Sequence, residues 1–236
     1  IIMSLNMSPE TKIGKIEDKT DKDVTIRHVN GKTFTLDTEK FIEFVKNEEI
    51  GISKANVLFS QKKQGIMPTI LDFYYKKRVE VKKELNILKR EYANKKDKVT
   101  KTKIDQLDSK QLCIKVFINS IYGYFGNRHA PFGDDDIASS ITLTGQSVIK
   151  KSNELLKNYV KEQTGITDVE KLESCVVYND TDSSYISIKL LIDNINIAFQ
   201  NEDGTLTKQL YDEVQNIEDY LNKEIKIWGI KALNSK

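Results

Sequence analysis

With 236 residues, 39% of them hydrophobic, and a formal net charge of +2, the chain is long enough for one large or two small domains with a real core, which excludes a disordered tail. No run of about 18 apolar residues occurs, and the opening IIMSLNMSPE lacks the basic region and long apolar stretch of a secretory signal, so a soluble intracellular protein is expected. Cys113 and Cys175 stand 62 positions apart without a CxxC or Cys/His partner, which supports neither a disulfide framework nor a zinc site and leaves two buried thiols as the expectation.

In chain order, the first signal is a hairpin. VTIRHV and KTFTLD alternate on either side of Asn30-Gly31, a dipeptide suited to a type I′ turn. A short helix is predicted over 38–49, and Gly65 to Pro68 breaks the chain before a long helix over 70–95. Leu71, Tyr74, Val81, Leu85, Leu88 and Tyr92 form that helix's apolar stripe. KKDKVTKTK reads as a polar break, followed by a second helix over 105–125. Two long antiparallel helices are the natural pairing. After the turn-rich GNRHAPFGDDD come a third helix over 137–161, a strand pair around 175–188, and a last amphipathic helix from 207 to the end.

Charge is uneven. Between Lys76 and Lys115 there are 14 Lys or Arg against 6 Asp or Glu, so this segment can meet an anion, or it is a solvated lysine-rich helical pair.

The chemistry concentrates in VYNDTDSS, residues 177–184. CVVY and YISI are β-branched and aromatic runs, and NDTDS between them supplies the residues of a tight turn. Side chains two apart on extended backbone face the same way, so Asp180 and Asp182 are expected to project together. Two like charges that close repel, and a hard divalent cation such as Mg²⁺ would neutralise both with oxygen ligands. The competing reading is an exposed acidic turn without a ligand. An EF-hand is excluded, because the sixth loop position is Tyr185 and not glycine.

A second candidate lies in CIKVFINSIYGYFG. Lys115, Asn119 and Tyr122, at i, i+4 and i+7, share one helical stripe, and Ile114, Ile118, Ile121 and Phe125 form the apolar stripe beside it. On the first long helix, Arg78 and Lys82 at i, i+4 make a phosphate clamp, a bidentate guanidinium beside a point charge. Either stripe taken alone also fits a solvated surface.

KVFINSIYG resembles the K-x-x-x-N-S-x-Y-G motif of family B DNA polymerases, and YNDTDS resembles their Y-G-D-T-D-S motif, in the same order. NMSPETKIG, GIMPTILDFYYKKRVEVKK and GNRHAPFGDDDIASSITLTGQ are similar to T-even-type phage replicative polymerases in particular. The resemblance implies an α+β fold: a palm with an antiparallel sheet and a two-helix antiparallel fingers subdomain. The expected boundaries are 1–68 for the N-terminal palm with its β-hairpin insertion, 69–126 for the fingers, and 127–236 for the palm with the catalytic hairpin. It implies Asp182 as a ligand of two catalytic Mg²⁺ ions with Asp180 beside it, and Arg78, Lys82 and Lys115 on the triphosphate of an incoming dNTP. Asn119 and Tyr122 would lie near the nascent base pair. The partners implied are primer-template DNA, dNTP and the remaining polymerase segments, with no membrane, in the cytoplasm of a phage-infected host.

Two departures qualify that expectation. Asn179 stands where the family has glycine, and tolerance of a left-handed backbone is the expected reason. The D-x-x-S-L-Y-P-S motif, which in the family precedes residues like Ile1-Ile2 and carries another essential aspartate, is not among the 236 residues. The expectation is therefore a fingers-and-palm piece, part of a split polymerase or an excised fragment, inactive without that aspartate. The alternative is a non-catalytic nucleotide-binding, nucleic-acid-binding or scaffold domain.

Overall fold

The computed structural model describes residues 1–180 and 183–235; Thr181, Asp182 and Lys236 lie outside the described residues. The described chain mixes helix with antiparallel sheet. It divides into two units, 1–141 and 142–235, with the division falling inside one helix.

The first unit is built on five antiparallel strands, β1 (Lys12–Lys19), β2 (Asp23–His28), β3 (Thr33–Asp37), β4 (Ile50–Ile52) and β5 (Val57–Ser60), in the order β3-β2-β1-β5-β4. Alternation sends Val24 and Ile26 of β2 to one face and Thr25 and Arg27 to the other. The buried face carries Ile16, Val24, Ile26, Ile50 and Leu58, and it is covered by Phe41, Phe44 and Val45 of α1 (Thr38–Asn47). Asp37 caps α1, its carboxylate accepting from the Lys40 amide at 2.8 Å. On the central strand, Gly14 leaves no room for a side chain: a Cβ there would stand 2.4 Å from the Arg27 carbonyl oxygen.

The expected β2–β3 hairpin forms, with Val24 opposite Leu36 and Ile26 opposite Phe34. Its turn differs from the one expected. His28 N–H donates to Lys32 O at 2.8 Å, which makes a three-residue loop, and the left-handed residue is Gly31, at φ 84°. The Asn30 side chain instead accepts from the Lys32 amide at 3.1 Å.

Two long helices follow, α2 (Ile66–Asn94) and α3 (Lys98–Phe125). The expected break over KKDKVTKTK shrinks to three residues, because Asp97 accepts from the Thr100 amide at 2.8 Å and starts α3 a full two turns early. α2 begins without a capping side chain of its own, since its N-cap is Gly65. Its first amides are met from far back in the sequence: Ile66 N–H donates to Glu10 Oε1 at 2.6 Å and Met67 N–H to Ser8 Oγ at 3.3 Å. Asn6 completes the socket, its Nδ2 donating to Ser60 O and Lys63 O and its Oδ1 accepting from the Gly65 amide.

The next helix, α4 (Asp135–Thr164), is seated by the same stretch of chain. Asp134 accepts from the amides of Asp136 and Ile137, and Lys12 Nζ bridges Asp134 and Asp136 at 2.8 and 2.9 Å while Lys15 reaches Asp136 at 2.7 Å.

The second unit packs the rest of α4 with α5 (Val169–Glu173), α6 (Lys189–Ile195), α7 (Lys208–Leu233) and the hairpin β6 (Val176–Asp180)–β7 (Ser183–Ile186). Its core is Leu156, Tyr159, Val160, Leu172, Cys175, Leu191 and Ile217. Tyr159 donates to Glu213 Oε1 at 2.9 Å, tying α4 to α7; burial first, then that carboxylate, push its phenol up to about 12. Cys175 is buried as expected, but Cys113 is exposed, because it precedes Ile114 by one residue and so falls off the buried stripe of α3. Among the described residues β6–β7 is a two-stranded sheet of its own, not hydrogen-bonded to the five-stranded one, and no helix is long and apolar enough to cross a membrane.

Burial raises the Glu10 pKa, but the Ile66 amide and Ser8 hydroxyl outweigh it and hold the carboxyl below its ordinary 4.5. Burial likewise raises Asp136, but Lys15 and Lys12 outweigh it and hold it below 3.8. A depressed carboxylate contributes stability above its unfolded pKa and loses it as pH falls through the lower folded value. Resistance to urea is therefore expected to fall below about pH 4, and Glu10→Gln with Asp136→Asn, a partly exposed cap and a solvent-screened ion pair, should cost about 1 kcal/mol at pH 7 and flatten that acid-side loss. An undiminished acid-side loss in the double variant would remove these two groups as its cause.

Candidate functional site

The α2–α3 seam of the first unit carries one group of candidate residues. Leu71, Val81 and Leu85 of α2 are buried against a stripe of Ile104, Ile114 and Ile121 on α3. Tyr74 meets Phe117, ring centroids 4.6 Å apart, and Arg78 Nη2 donates to Gln111 Oε1 at 3.4 Å. Residue numbers rise along one helix as they fall along the other, so the pair is antiparallel.

The Arg78–Gln111 contact orders the polar residues. Lys82 follows Arg78 by one turn, and Lys115, Asn119 and Tyr122 follow Gln111 at i+4, i+8 and i+11, so both rows run along the flank of the seam that this contact marks. Lys82, Lys115, Asn119 and Tyr122 are exposed, and Arg78 is half-buried. Among the described residues Arg78 Nε is buried without a hydrogen-bond partner, a state that costs about 1–3 kcal/mol for such a donor. The opposite flank is apolar. There Met67, Ile70, Phe117, Ile121 and Tyr124 line a cleft of about 450 Å³.

The other group of candidate residues is on the β6–β7 hairpin of the second unit. Cys175, 1% exposed, anchors its base in the core of the second unit, and the Ser187 amide donates to Cys175 O at 2.8 Å. The ladder pairs Val176 with Ile186, Tyr178 with Tyr185, Asn179 with Ser184 and Asp180 with Ser183. Asp180 is thus the last residue of β6, whereas Asp182 lies outside the described residues. Tyr178 and Tyr185 stack across the ladder at 5.9 Å and both are exposed.

Asn179 takes up extended strand backbone, so tolerance of a left-handed turn is not what its side chain provides. Its Oδ1 accepts from Ser184 Oγ at 2.7 Å and from Asn153 Nδ2 of α4 at 3.2 Å, and Asn153 Oδ1 stands 3.1 Å from Ser184 Oγ. These three side chains clamp the hairpin to α4. Asn153 was missed by the sequence reading, because nothing in a lone asparagine marks a partner 26 residues away.

Two carboxylates spaced i, i+2 are a hard-oxygen donor set of the kind Mg²⁺ takes. Among the described residues no group of three or more His, Cys, Asp or Glu side chains is placed to hold a metal ion.

The profile of DNA polymerase family B matches residues 1–218, a stretch that takes in both motifs and every candidate residue named above. The chain belongs to DNA polymerase family B. It is similar to the DNA polymerase delta catalytic subunits of Plasmodium falciparum, 32% identical over 151 residues, and Dictyostelium discoideum, 32% over 124. It is also 30% identical over 199 residues to a DNA polymerase of Paramecium bursaria Chlorella virus NY2A. These matches cover 61%, 52% and 83% of the chain but 12%, 10% and 18% of the relatives. The family B chain described here therefore spans less than a fifth of the length of each.

Within this family B chain, the Asn153–Asn179–Ser184 clamp accompanies the position where the family's motif has glycine. Asn153→Ala and Asn179→Gly are each expected to lower amide-exchange protection across residues 176–186 about five- to tenfold, the equivalent of about 1 kcal/mol. Asn179→Gly should have the larger effect, since glycine adds strand entropy to the lost bonds. Unchanged protection in both variants would show that the hairpin is held by its backbone ladder alone.

Proposed function

We propose that this chain provides the fingers and much of the palm of a template-directed DNA polymerase that transfers a nucleotide from a dNTP to a primer 3′-hydroxyl. The palm would comprise residues 1–68 and 127–236 and the fingers residues 69–126, in a T-even-type phage protein working in the host cytoplasm on primer-template DNA. The observation that carries the reading is the row of Lys115, Asn119 and Tyr122 on an exposed flank of α3, starting one turn from the Arg78–Gln111 contact.

Arg78, Lys82 and Lys115 would hold the triphosphate and offset the charge that gathers on the departing pyrophosphate. An oxygen of that ligand within reach of the unpartnered Arg78 Nε would remove its desolvation cost. Asn119 and Tyr122 would border the nascent base pair and help align the 3′-hydroxyl with the α-phosphate. Asp180 and Asp182 would hold Mg²⁺, which when bound stabilises the attacking and leaving oxygens. A further carboxylate would come from a D-x-x-S-L-Y-P-S segment outside these 236 residues, and without it the chain would be inactive. The exposed lysines of α2 and α3 would equally serve one second reading, a non-catalytic nucleotide- or DNA-binding scaffold.

Primer extension with Mg²⁺ tests the two. The chain combined with a polypeptide carrying the aspartate motif should extend a primer, and neither component should do so alone. In the combined enzyme Asp182→Asn should reduce extension to background, and Lys115→Ala should reduce it about 10²-fold. Full activity of the Asp182→Asn enzyme would reduce VYNDTDSS to an acidic turn, and no extension from the combined wild-type chains would favour the scaffold.

A further inference from the structure

The far end of the α2–α3 hairpin carries positive charge that the triphosphate reading does not use. Lys89, Arg90, Lys95, Lys96, Lys98 and Lys103 are all exposed, and among the described residues none of them forms an ion pair. The neighbouring Lys101 is paired with Asp105 at 3.0 Å, and the Asp97 carboxylate is engaged with the Thr100 amide. At about 1.5 Å of rise per residue, Arg90 lies about 18 Å along α2 from Arg78, and Lys98 about 26 Å along α3 from Lys115. One nucleotide held at Arg78 and Lys115 cannot engage both ends of the hairpin, but a polyanion can.

Helix stability does not account for these lysines. The first turn of α3 has no acidic residue and begins with Lys98, the charge sign that the start of a helix disfavours. Their chemistry selects among polyanions. Lysine is depleted at the centres of protein–protein interfaces, whereas exposed ammonium groups on flexible stems are suited to phosphates contacted without regard to base.

We propose that the hairpin tip, residues 89–103, is a DNA-binding surface separate from the nucleotide site, gripping the phosphodiester backbone of a strand without reading its sequence. The proposal uses the chain's membership of a DNA polymerase family and does not depend on the triphosphate assignment.

The test is fluorescence anisotropy of the full 236-residue chain with a labelled single-stranded oligonucleotide and, separately, a duplex of equal length, between 50 and 200 mM salt. Replacing Lys95, Lys96 and Lys98 by Gln removes three phosphate contacts. At roughly 0.7 counterions released per single-strand contact, affinity at 0.1 M salt should fall about 100-fold and the slope of log K against log salt should drop by about 2. On a duplex the slope should drop by about 2.7, so whichever arm shows its drop identifies the strand form bound. A control with Lys208, Lys223 and Lys226 replaced by Gln removes the same charge and should change affinity less than about threefold. Thermal melting monitored by circular dichroism checks that both variants fold. If the tip variant binds both probes with wild-type affinity and slope, or loses no more than the control, the surface is only a solvated helix end. Binding of dATP with Mg²⁺, measured in parallel, should survive the tip substitutions and be lost in Arg78→Ala, so failure of the triphosphate reading would be seen separately.

Discussion

The first unit hangs on how the start of α2 is satisfied. A 29-residue helix whose N-cap is a glycine cannot complete its own first turn, and orphan amides in a partly buried setting cost more than a helix of this length can ignore. Asn6, Ser8 and Glu10, more than 50 residues upstream, make up the deficit, and two residues later Lys12 fastens the start of α4. One short segment thus fixes where two long helices begin. The Gly65 backbone must come close for this to work: a Cβ on it would lie 2.7 Å from that of Ser8.

With its start fixed, α2 presents a set direction to α3, and the seam sorts side chains by chemistry. Leucine, valine and isoleucine close the middle. One flank carries Arg78, Lys82, Lys115, Asn119 and Tyr122, and the other an apolar cleft around Phe117. Neither flank exists on an isolated helix: each takes one row from α2 and one from α3. The cationic flank and the cationic tip are therefore distinct features of the same hairpin, separated by several helical turns.

In the second unit, the element that carries the acidic motif is short. Two strands of four and five residues are marginal by themselves. Cys175 roots them in the core, and the Asn153–Asn179–Ser184 clamp ties them to α4. An asparagine in a position that favours glycine elsewhere in the family is accounted for by these contacts and not by backbone freedom.

Much was legible without coordinates, for identifiable reasons. The long helices showed in the periodic burial of Leu71, Val81, Leu85, Ile114 and Ile121, and the two hairpins in alternation and turn residues, because helical and strand periods are local properties of the chain. The shared stripe of Lys115, Asn119 and Tyr122 was likewise legible, since a fixed spacing puts them on one side of α3 whatever that helix packs against. What escaped was decided by distance in sequence. β4 and β5 are too short to show a period and exist by pairing with each other and with β1. The break after α2 closed because a single capping aspartate outweighed a lysine-rich composition. Cys113 and Cys175 look alike in sequence and differ only in which side of a helix or core they meet. The composition and periods of this chain determined its elements and the chemical character of their faces. Only the tertiary structure decided that Glu10 caps α2, that Arg78 meets Gln111 and that Asn153 holds Asn179, because each of those bonds joins residues whose proximity no local pattern encodes.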